Sequence, residues 1–462
     1  MTHLWSGRFD TAPDATVFDF NASFRYDRRL FEDDCTGSLA WAECLRDAGV
    51  LSSSEAEAIR AALTEILQRG REDPSFVSGP DEDVHSFVER QLVERLGDAG
   101  RRLHTGRSRN EQVSLDLRLY LRRRSAVLQQ AVATVVARLA DLAEGSGAVL
   151  MPAYTHLRRA QPVLVAHYLL AHAAALRRDY ARLGAAAAEA DAMPLGSGAV
   201  AGTNYAIDTG MLARRLGFSR VVANSIDASS DRDFVAAFLH ACALTMVHLS
   251  RFAEDVIVFS GEEHGFFELS DATSTGSSMM PQKKNPDPLE LVRGKTGRVV
   301  GHLTGWLVTM KGLPSGYNKD LQEDKEAVFD ADATLAASLE AVAVVIAGLR
   351  LNAGRAQRAA GGLLLATDVA DYLVGRGLPF RRAHELVAGM TRQLLAEHRS
   401  FENLSPDEWR AFSPLFGEDI GSRVTAAASV AARRTQQSTR PDAVAAALAD
   451  LHTWLASVGV RS

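Results

Sequence analysis

LQQAVATVVARLADL, residues 128–142, decides the fold class. Its apolar positions Leu128, Val132, Val135, Leu139 and Leu142 step by four and three in alternation, the spacing of a helix packed lengthwise on another helix. A stripe of that kind is core and implies no cofactor. Outward from it, Ala- and Leu-rich stretches at 163–192, 231–259, 289–311 and 326–349 carry no internal proline. Each is long for a globular helix, so the centre of the chain reads as a bundle of near-parallel helices of about 25 residues or more. Alternating β patterns are scarce, and the fold class expected is all-α.

Three domains follow from the changes in pattern. Residues 1–106 form a mixed, mostly helical N-terminal domain, and 107–355 the central long-helix bundle. Residues 356–462 carry shorter helical segments separated by Gly377-Leu378-Pro379 and Ser405-Pro406. A bundle only a few helices thick leaves apolar faces uncovered, so oligomerisation is expected.

With 462 residues, 47% hydrophobic and 23% charged, the chain has the make-up of a soluble globular protein with a large core. A formal charge of -6, with no basic block interleaved with aromatics, excludes a general nucleic-acid binder. Arg122-Arg123-Arg124, the densest basic cluster, reads as a solvated helix face. Cys35, Cys44 and Cys242 are odd in number and lack C-x-x-C pairing, so neither a disulfide framework nor a zinc knuckle is expected. The N-terminus lacks a basic region followed by an apolar stretch. The longest clean apolar run, 341–349, is far short of the ~20 residues a membrane span needs. A cytoplasmic protein without membrane association is expected.

The chemistry concentrates in GSSMMPQKKNPDP, residues 276–288, where glycine and prolines break helical register on both sides of a polar run. Lys283, Lys284 and Asn285 place two positive charges and an amide there with no carboxylate before Asp287, a receptor for an anion. Three further clusters share this punctuated character: 104–110, Tyr154-Thr155-His156, and 317–325. In the first, Thr105, Ser108, Arg109 and Asn110 offer donors where a long helix begins, and free N–H groups at a helix start favour anions. Ser108 is equally placed to be an N-cap. His156, between Pro152 and Pro162, is suited to proton exchange near neutral pH, although an isolated histidine is commonly structural. The 317–325 cluster mixes both signs, as either a zwitterion-binding segment or a salt-bridged surface would. Asp81-Glu82-Asp83-Val84-His85 reads as a solvated helix start, and no metal is assigned. Gly196 to Gly202 has the wrong spacing for a dinucleotide fingerprint, follows a helical stretch, and reads as a loop between helices.

Taken together, GSSMMPQKKNPD resembles the signature of the aspartase/fumarase lyase superfamily and, within it, that of the argininosuccinate lyases. WSGRF (5–9), DEDVHS (81–86), LHTGRSRN (103–110), YTHLRRAQP (154–162), LSRFAED (249–255), KGLPSGYNKDLQEDKE (311–326) and ATDVADYLV (366–374) extend the resemblance through nearly the whole chain. The resemblance implies a three-domain homotetramer whose long helices form its core, with each site shared by three subunits. It also implies reversible cleavage of argininosuccinate to fumarate and L-arginine, in arginine biosynthesis, with no metal or organic cofactor. By the family pattern Ser277 is the base that takes the carbon proton and His156 the acid toward the leaving arginine. Glu290 pairs with that histidine, and Lys283 stabilises the carbanion. Ser23, Arg109, Asn110, Thr155, Asn285, Tyr317, Gln322 and Lys325 are the substrate-binding residues the pattern implies. Departures from the pattern are Glu111 in place of aspartate, Arg158 in place of glutamine, Thr209 in place of arginine, and the tail QQSTRPDAV at 436–444. Two rival readings are a sibling lyase, acting on adenylosuccinate, fumarate or aspartate, and a structural protein recruited from this family.

Overall fold

The computed structural model describes residues 14–460, so the WSGRF motif lies outside the described residues. Helix accounts for 69% of the chain and strands occur only as four two-stranded pairs among the described residues, which makes the fold all-α. The long helices are Arg109–Gly145, Val165–Glu189, Asp233–Ser260, Asp287–Met310 and Asp324–Gly348, close to the bounds that periodicity predicts.

Arg109–Gly145 shows why such a sequence becomes a helix. Ser108 caps it: its hydroxyl accepts the Asn110 N–H at 3.3 Å while the Glu111 carboxylate accepts the Ser108 N–H at 3.0 Å, a reciprocal cap. Along its seam Leu128, Val132, Val135 and Leu139 are at most 1% exposed, each contributing roughly 2 kcal/mol by burial. By the last turn the seam has drifted to buried Ala143, and Leu142 is half-exposed. A helix of 3.6 residues per turn drifts in this way from a 3.5-residue pattern.

The chain forms two compact units. The first comprises Met1–Gln129, Ala181–Leu244 and Gly297–Leu335; the second comprises Gln130–Tyr180, Thr245–Thr296 and Ala336–Ser462. In the first, helices Phe31–Asp47, Ser53–Glu72 and Val84–Leu96 pack around Trp41 and Phe87, with Phe24 stacked on Phe87 at 5.3 Å. Its three consecutive arginines are not simply solvated. Arg122 pairs with Asp191, Arg123 with Asp33 at 2.9 Å and Arg124 with Asp332 at 2.8 Å, so carboxylates from other segments neutralise the cluster.

The second unit holds a feature that periodicity misses, an antiparallel hairpin of Leu150–Thr155 and Arg158–Leu164. Pro152 and Pro162 sit opposite one another in its register, and in a two-stranded ribbon both missing N–H groups face outward, where no ladder bond is lost. The C-terminal helices Ala366–Gly375 and Phe380–Ala396 close over Leu373, Met390, Phe401, Trp409 and Phe416.

Arg109–Gly145, Asp233–Ser260 and the stretch Lys319–Gly348 are long and apolar enough, by length and composition, to cross a membrane, with 50–56% of each window buried inside the chain. Counting uninterrupted apolar runs misses them, because single polar residues such as buried Thr245 break a run without lowering the mean hydropathy much.

Candidate active site

In the second unit, Thr275–Gly276 pairs antiparallel with Lys284–Asn285 and closes residues 277–283 into a loop. The closure is fastened by Thr275 donating to Asp287 and by Lys284 Nζ lying 2.7 Å from Asp271. Within the loop the Ser277 hydroxyl oxygen accepts the N–H groups of Met279 at 3.2 Å and Met280 at 3.0 Å, and Met280 carbonyl accepts the Lys283 N–H at 3.0 Å. Met279 is 86% exposed, Lys283 is exposed and Asn285 half-buried. Pro288 does not end the irregular stretch as its chemistry suggests. It stands in the first turn of Asp287–Met310, where a missing N–H costs no helical bond. Asp287 and Glu290 both lie in that turn, favourably placed at the positive end of the helix dipole.

His156 and Leu157 form the two-residue tip of the hairpin, between paired Thr155 and Arg158. Both adopt left-handed backbone, φ 54 and 57, in a turn that ordinarily selects Asn-Gly. Each such residue costs about 1–2 kcal/mol, and strain of this kind clusters at functional sites. Leu157 is 83% exposed, so its side chain recovers nothing by packing. Below the tip, Tyr154 rests on Phe259 with centroids 5.4 Å apart and steadies the hairpin. Among the described residues no hydrogen bond joins His156 to Glu290.

The first unit gathers the other sequence-derived residues. The Ser23 hydroxyl donates to Asp27, whose other oxygen accepts the Val84 N–H at 3.0 Å. Burial, reinforced by Asp83 and opposed by Ser23 and Lys325, pushes the Asp27 carboxyl up to about 7. Lys325 is buried with Nζ 2.8 Å from Asp324, which also accepts from buried Arg232 at 2.8 Å. Gln322 donates to the Asn21 carbonyl at 3.0 Å. Burial, then the charge of Asp324, lifts the Tyr317 hydroxyl to about 12. The Arg109 guanidinium lies 3.7 Å from both Asp83 and Glu89, and Asn110 follows it on the helix. The segment around 317–325 is therefore a partly buried ion-pair network, and both sequence readings of it, zwitterion binding and a salt-bridged surface, stay open.

Sequence reasoning missed Arg232 and Asp27, although Asp27 carried a signal, standing one helical turn after Ser23; it had Asp324 only within the mixed-charge segment and Glu111 only as a departure from the family pattern. It also misjudged the 81–85 run. Asp83 does cap a helix, accepting the Ser86 N–H at 2.7 Å, but His85 is buried. His85 Nδ1 lies 2.8 Å from Asp34 and 3.2 Å from Asp116, both fully buried. The ligand atoms of these three residues fall within 4.8 Å of one another, a donor set that could hold a metal ion. Buried Arg107 already supplies positive charge beside both carboxylates, and Gln112 donates to Asp34. Burial still drives both acids upward, Asp116 also through the charge of Asp34.

Residues 7–301 match the family model described as lyase, and 363–431 match that of the argininosuccinate lyase C-terminal region. An argininosuccinate lyase of Moorella thermoacetica is 49% identical over 459 residues, covering 98% of each chain. One of Pelotomaculum thermopropionicum is 48% identical, covering 96% of this chain and 97% of that one. Among solved structures, EDDS lyase in complex with formate superposes with a TM-score of 0.84 at 26% identity, over 96% of this chain and 90% of that one. Fumarate lyase from Mesorhizobium sp. BNC1, at 20% identity and a TM-score of 0.74 over 93% and 98% of the two chains, shares the fold. With full-length identity near one half, a matching C-terminal region and the loop motif in place, the chain belongs to the argininosuccinate lyase family.

Proposed function

We propose that this chain cleaves argininosuccinate reversibly into fumarate and L-arginine, by β-elimination through an aci-carboxylate carbanion. Removing a proton from the carbon beside a carboxylate spreads negative charge into that carboxylate, so fixed positive charge and N–H donors accelerate the step more than a strong base does. The observation that carries the reading is the Ser277 oxygen, which already accepts two backbone N–H groups in a loop that also carries Lys283 and Asn285. Those donors favour the alkoxide over the hydroxyl and bring an otherwise very weak acid toward use as a base.

Ser277 takes the carbon proton, and the electron pair delocalises onto the carboxylate held by Lys283, Asn285 and loop amides. The pair then forms the C=C bond of fumarate as the C–N bond breaks, and His156, in its imidazolium form, delivers a proton to the departing guanidinium nitrogen. Glu290 supports the imidazolium. Ser23, Arg109, Asn110, Thr155, Tyr317, Gln322 and Lys325 hold the carboxylates, ammonium and guanidinium of the substrate. Neither metal nor organic cofactor is needed, because the carbanion's charge is balanced by fixed side chains and amides.

Three domains, 1–106, 107–355 and 356–462, assemble into a cytoplasmic homotetramer in which segments of three subunits complete each site. Exposed Leu291, Val300, Leu307 and Val308 on Asp287–Met310 and Val344 on Asp324–Gly348 are apolar positions suited to packing on helices of other subunits. The test is fumarate release from argininosuccinate, followed by ultraviolet absorbance, for wild type and Ser277→Ala. Turnover by wild type and near-loss in the variant supports the reaction and the base; no wild-type turnover sinks the reaction, and an active variant sinks the base.

A further inference from the structure

We propose that Glu111 is a positioning residue that sets substrate affinity by pinning the Arg109–Asn110 helix start to the glycine-rich loop 196–205. The proposal rests on the reading of Arg109, Asn110 and Tyr317 as substrate-binding groups. Glu111 is fully buried, and its two oxygens serve two different segments: one accepts the Ser108 N–H at 3.0 Å, the other the Gly198 N–H at 3.0 Å. A helix cap needs only the first of these bonds. The second reaches a loop 87 residues away in sequence.

That loop has room for nothing larger than its own residues. Gly198 has φ 59, and a Cβ there would lie 2.4 Å from the Gly202 carbonyl oxygen. The Ala199 carbonyl accepts from Ser229 at 2.6 Å and the Val200 carbonyl from Ser225 at 2.8 Å, so both are fixed. On one side the loop presses on the turn that leads into the helix: a Cβ on Gly106 would meet Tyr205 at 2.6 Å and the Thr203 hydroxyl at 2.8 Å. On the other, Val200 borders Gly316, the neighbour of Tyr317: a Cβ added to Gly316 would meet the Val200 side chain at 3.4 Å. The loop is thus a spacer that fixes Arg109 and Asn110 with respect to Tyr317, and Glu111 is its tether. A misplaced pair of donors weakens ground-state and transition-state binding alike, which raises KM and spares kcat.

The tether is also sensitive to protonation. Arg107, from the turn before the helix, is the charge Glu111 faces, and the loop presents the amides of Gly196 and Gly198. Burial outweighs these partners and lifts the Glu111 carboxyl to about 7. A protonated carboxyl facing only N–H donors has an O–H without an acceptor there, so the tether weakens as pH falls through this range.

The experiment is the pH dependence of KM and kcat for fumarate release by wild type, Glu111→Gln and Glu111→Asp, with circular dichroism and gel filtration of each. Expected for Glu111→Gln is a KM about tenfold higher or more, the factor for one charge-assisted hydrogen bond, with kcat within about threefold. The rise of wild-type KM at low pH should vanish in that variant. Glu111→Asp, one methylene shorter, should keep the cap, give up Gly198, show an intermediate KM, and retain a pH dependence. If Glu111→Gln fails to fold, Glu111→Asp decides alone. An unchanged KM in the folded variants, or a loss confined to kcat, overturns the proposal. Wild type that releases no fumarate sinks the reaction reading, and this inference with it.

Discussion

Two polar clusters of this chain differ most in their surroundings. Ser277, Lys283 and Asn285 stand on a loop that is exposed or half-exposed, fastened at its base by a two-residue strand pair. Asp34, His85, Asp116 and Arg107 are buried, with at most 7% of any of them exposed. The loop can lose a reactive group without leaving a hole or an unpaired buried charge, whereas the buried cluster cannot lose one member without stranding the others. Chemistry and stability are therefore carried by separate sets of charged residues, and substitutions in each should move one observable and spare the other.

The sharpest separation is expected from Ser277→Ala. Losing the base should lower turnover by about 10³-fold or more, while the melting temperature falls by no more than about 2 °C, because the two N–H groups that Ser277 caps lie in an exposed loop where water can replace it. Calorimetry on the same preparation checks both halves; a variant that melts early would mean the loop is structural and the contrast false. Arg107→Met attacks the other pole. It leaves the Asp34 and Asp116 pair without its guanidinium, so unfolding free energy should fall by about 3–5 kcal/mol in a denaturant titration. Adding Asp34→Asn should recover part of this, since one fewer buried charge is left stranded. A loss below about 1 kcal/mol would show that the two acids were already neutral together.

The same contrast explains what could be read in advance. The helix seam at Leu128, Val132, Val135 and Leu139 was legible because burial on one face imposes a 3.6-residue period on the chain itself. The loop at 276–288 was legible because Gly276, Pro281 and Pro286 act locally on backbone conformation. The hairpin at 150–164 was not, because its turn carries His156-Leu157 where a hairpin ordinarily announces itself with Asn-Gly, and its strands contain proline. Asp34, His85 and Asp116 could not be associated because they lie on three different helices, Phe31–Asp47, Val84–Leu96 and Arg109–Gly145, and only packing brings them within a hydrogen bond. Ser23 and Gln322 were identified by motif, whereas the buried Asp27 that organises Ser23 was marked only by its place one helical turn later.

Asp27 tests whether a group can belong to both sets at once, since it is buried yet holds Ser23. Its folded carboxyl is raised from the ordinary 3.8 to about 7, chiefly by burial. In that window the folded state binds more protons than the unfolded one, so stability falls as pH rises from about 4 through 7. Asp27→Asn has no proton to lose. The stability of wild type relative to this variant should therefore decline across that interval by on the order of 4 kcal/mol, measured by unfolding titrations at pH 4 to 8. A difference that stays flat with pH would place Asp27 with the solvated groups.

The smallest effect is expected where the exposed set bears strain. Leu157 has left-handed backbone at φ 57 and an 83% exposed side chain, so replacing it with glycine removes a steric penalty and gives up almost no packing. Relief of about 1–2 kcal/mol is partly offset by about 0.5–1 kcal/mol of added freedom in the unfolded chain. Leu157→Gly should then stabilise the protein by less than about 1 kcal/mol, seen as a slightly higher melting temperature. If the strained turn exists to aim His156, the added freedom should broaden the arc of the imidazole and lower kcat several-fold while KM changes little. Stability and activity would move in opposite directions from one exposed position. A kcat equal to wild type would mean that the hairpin below the tip, held by Tyr154 on Phe259, is enough to aim His156 unaided.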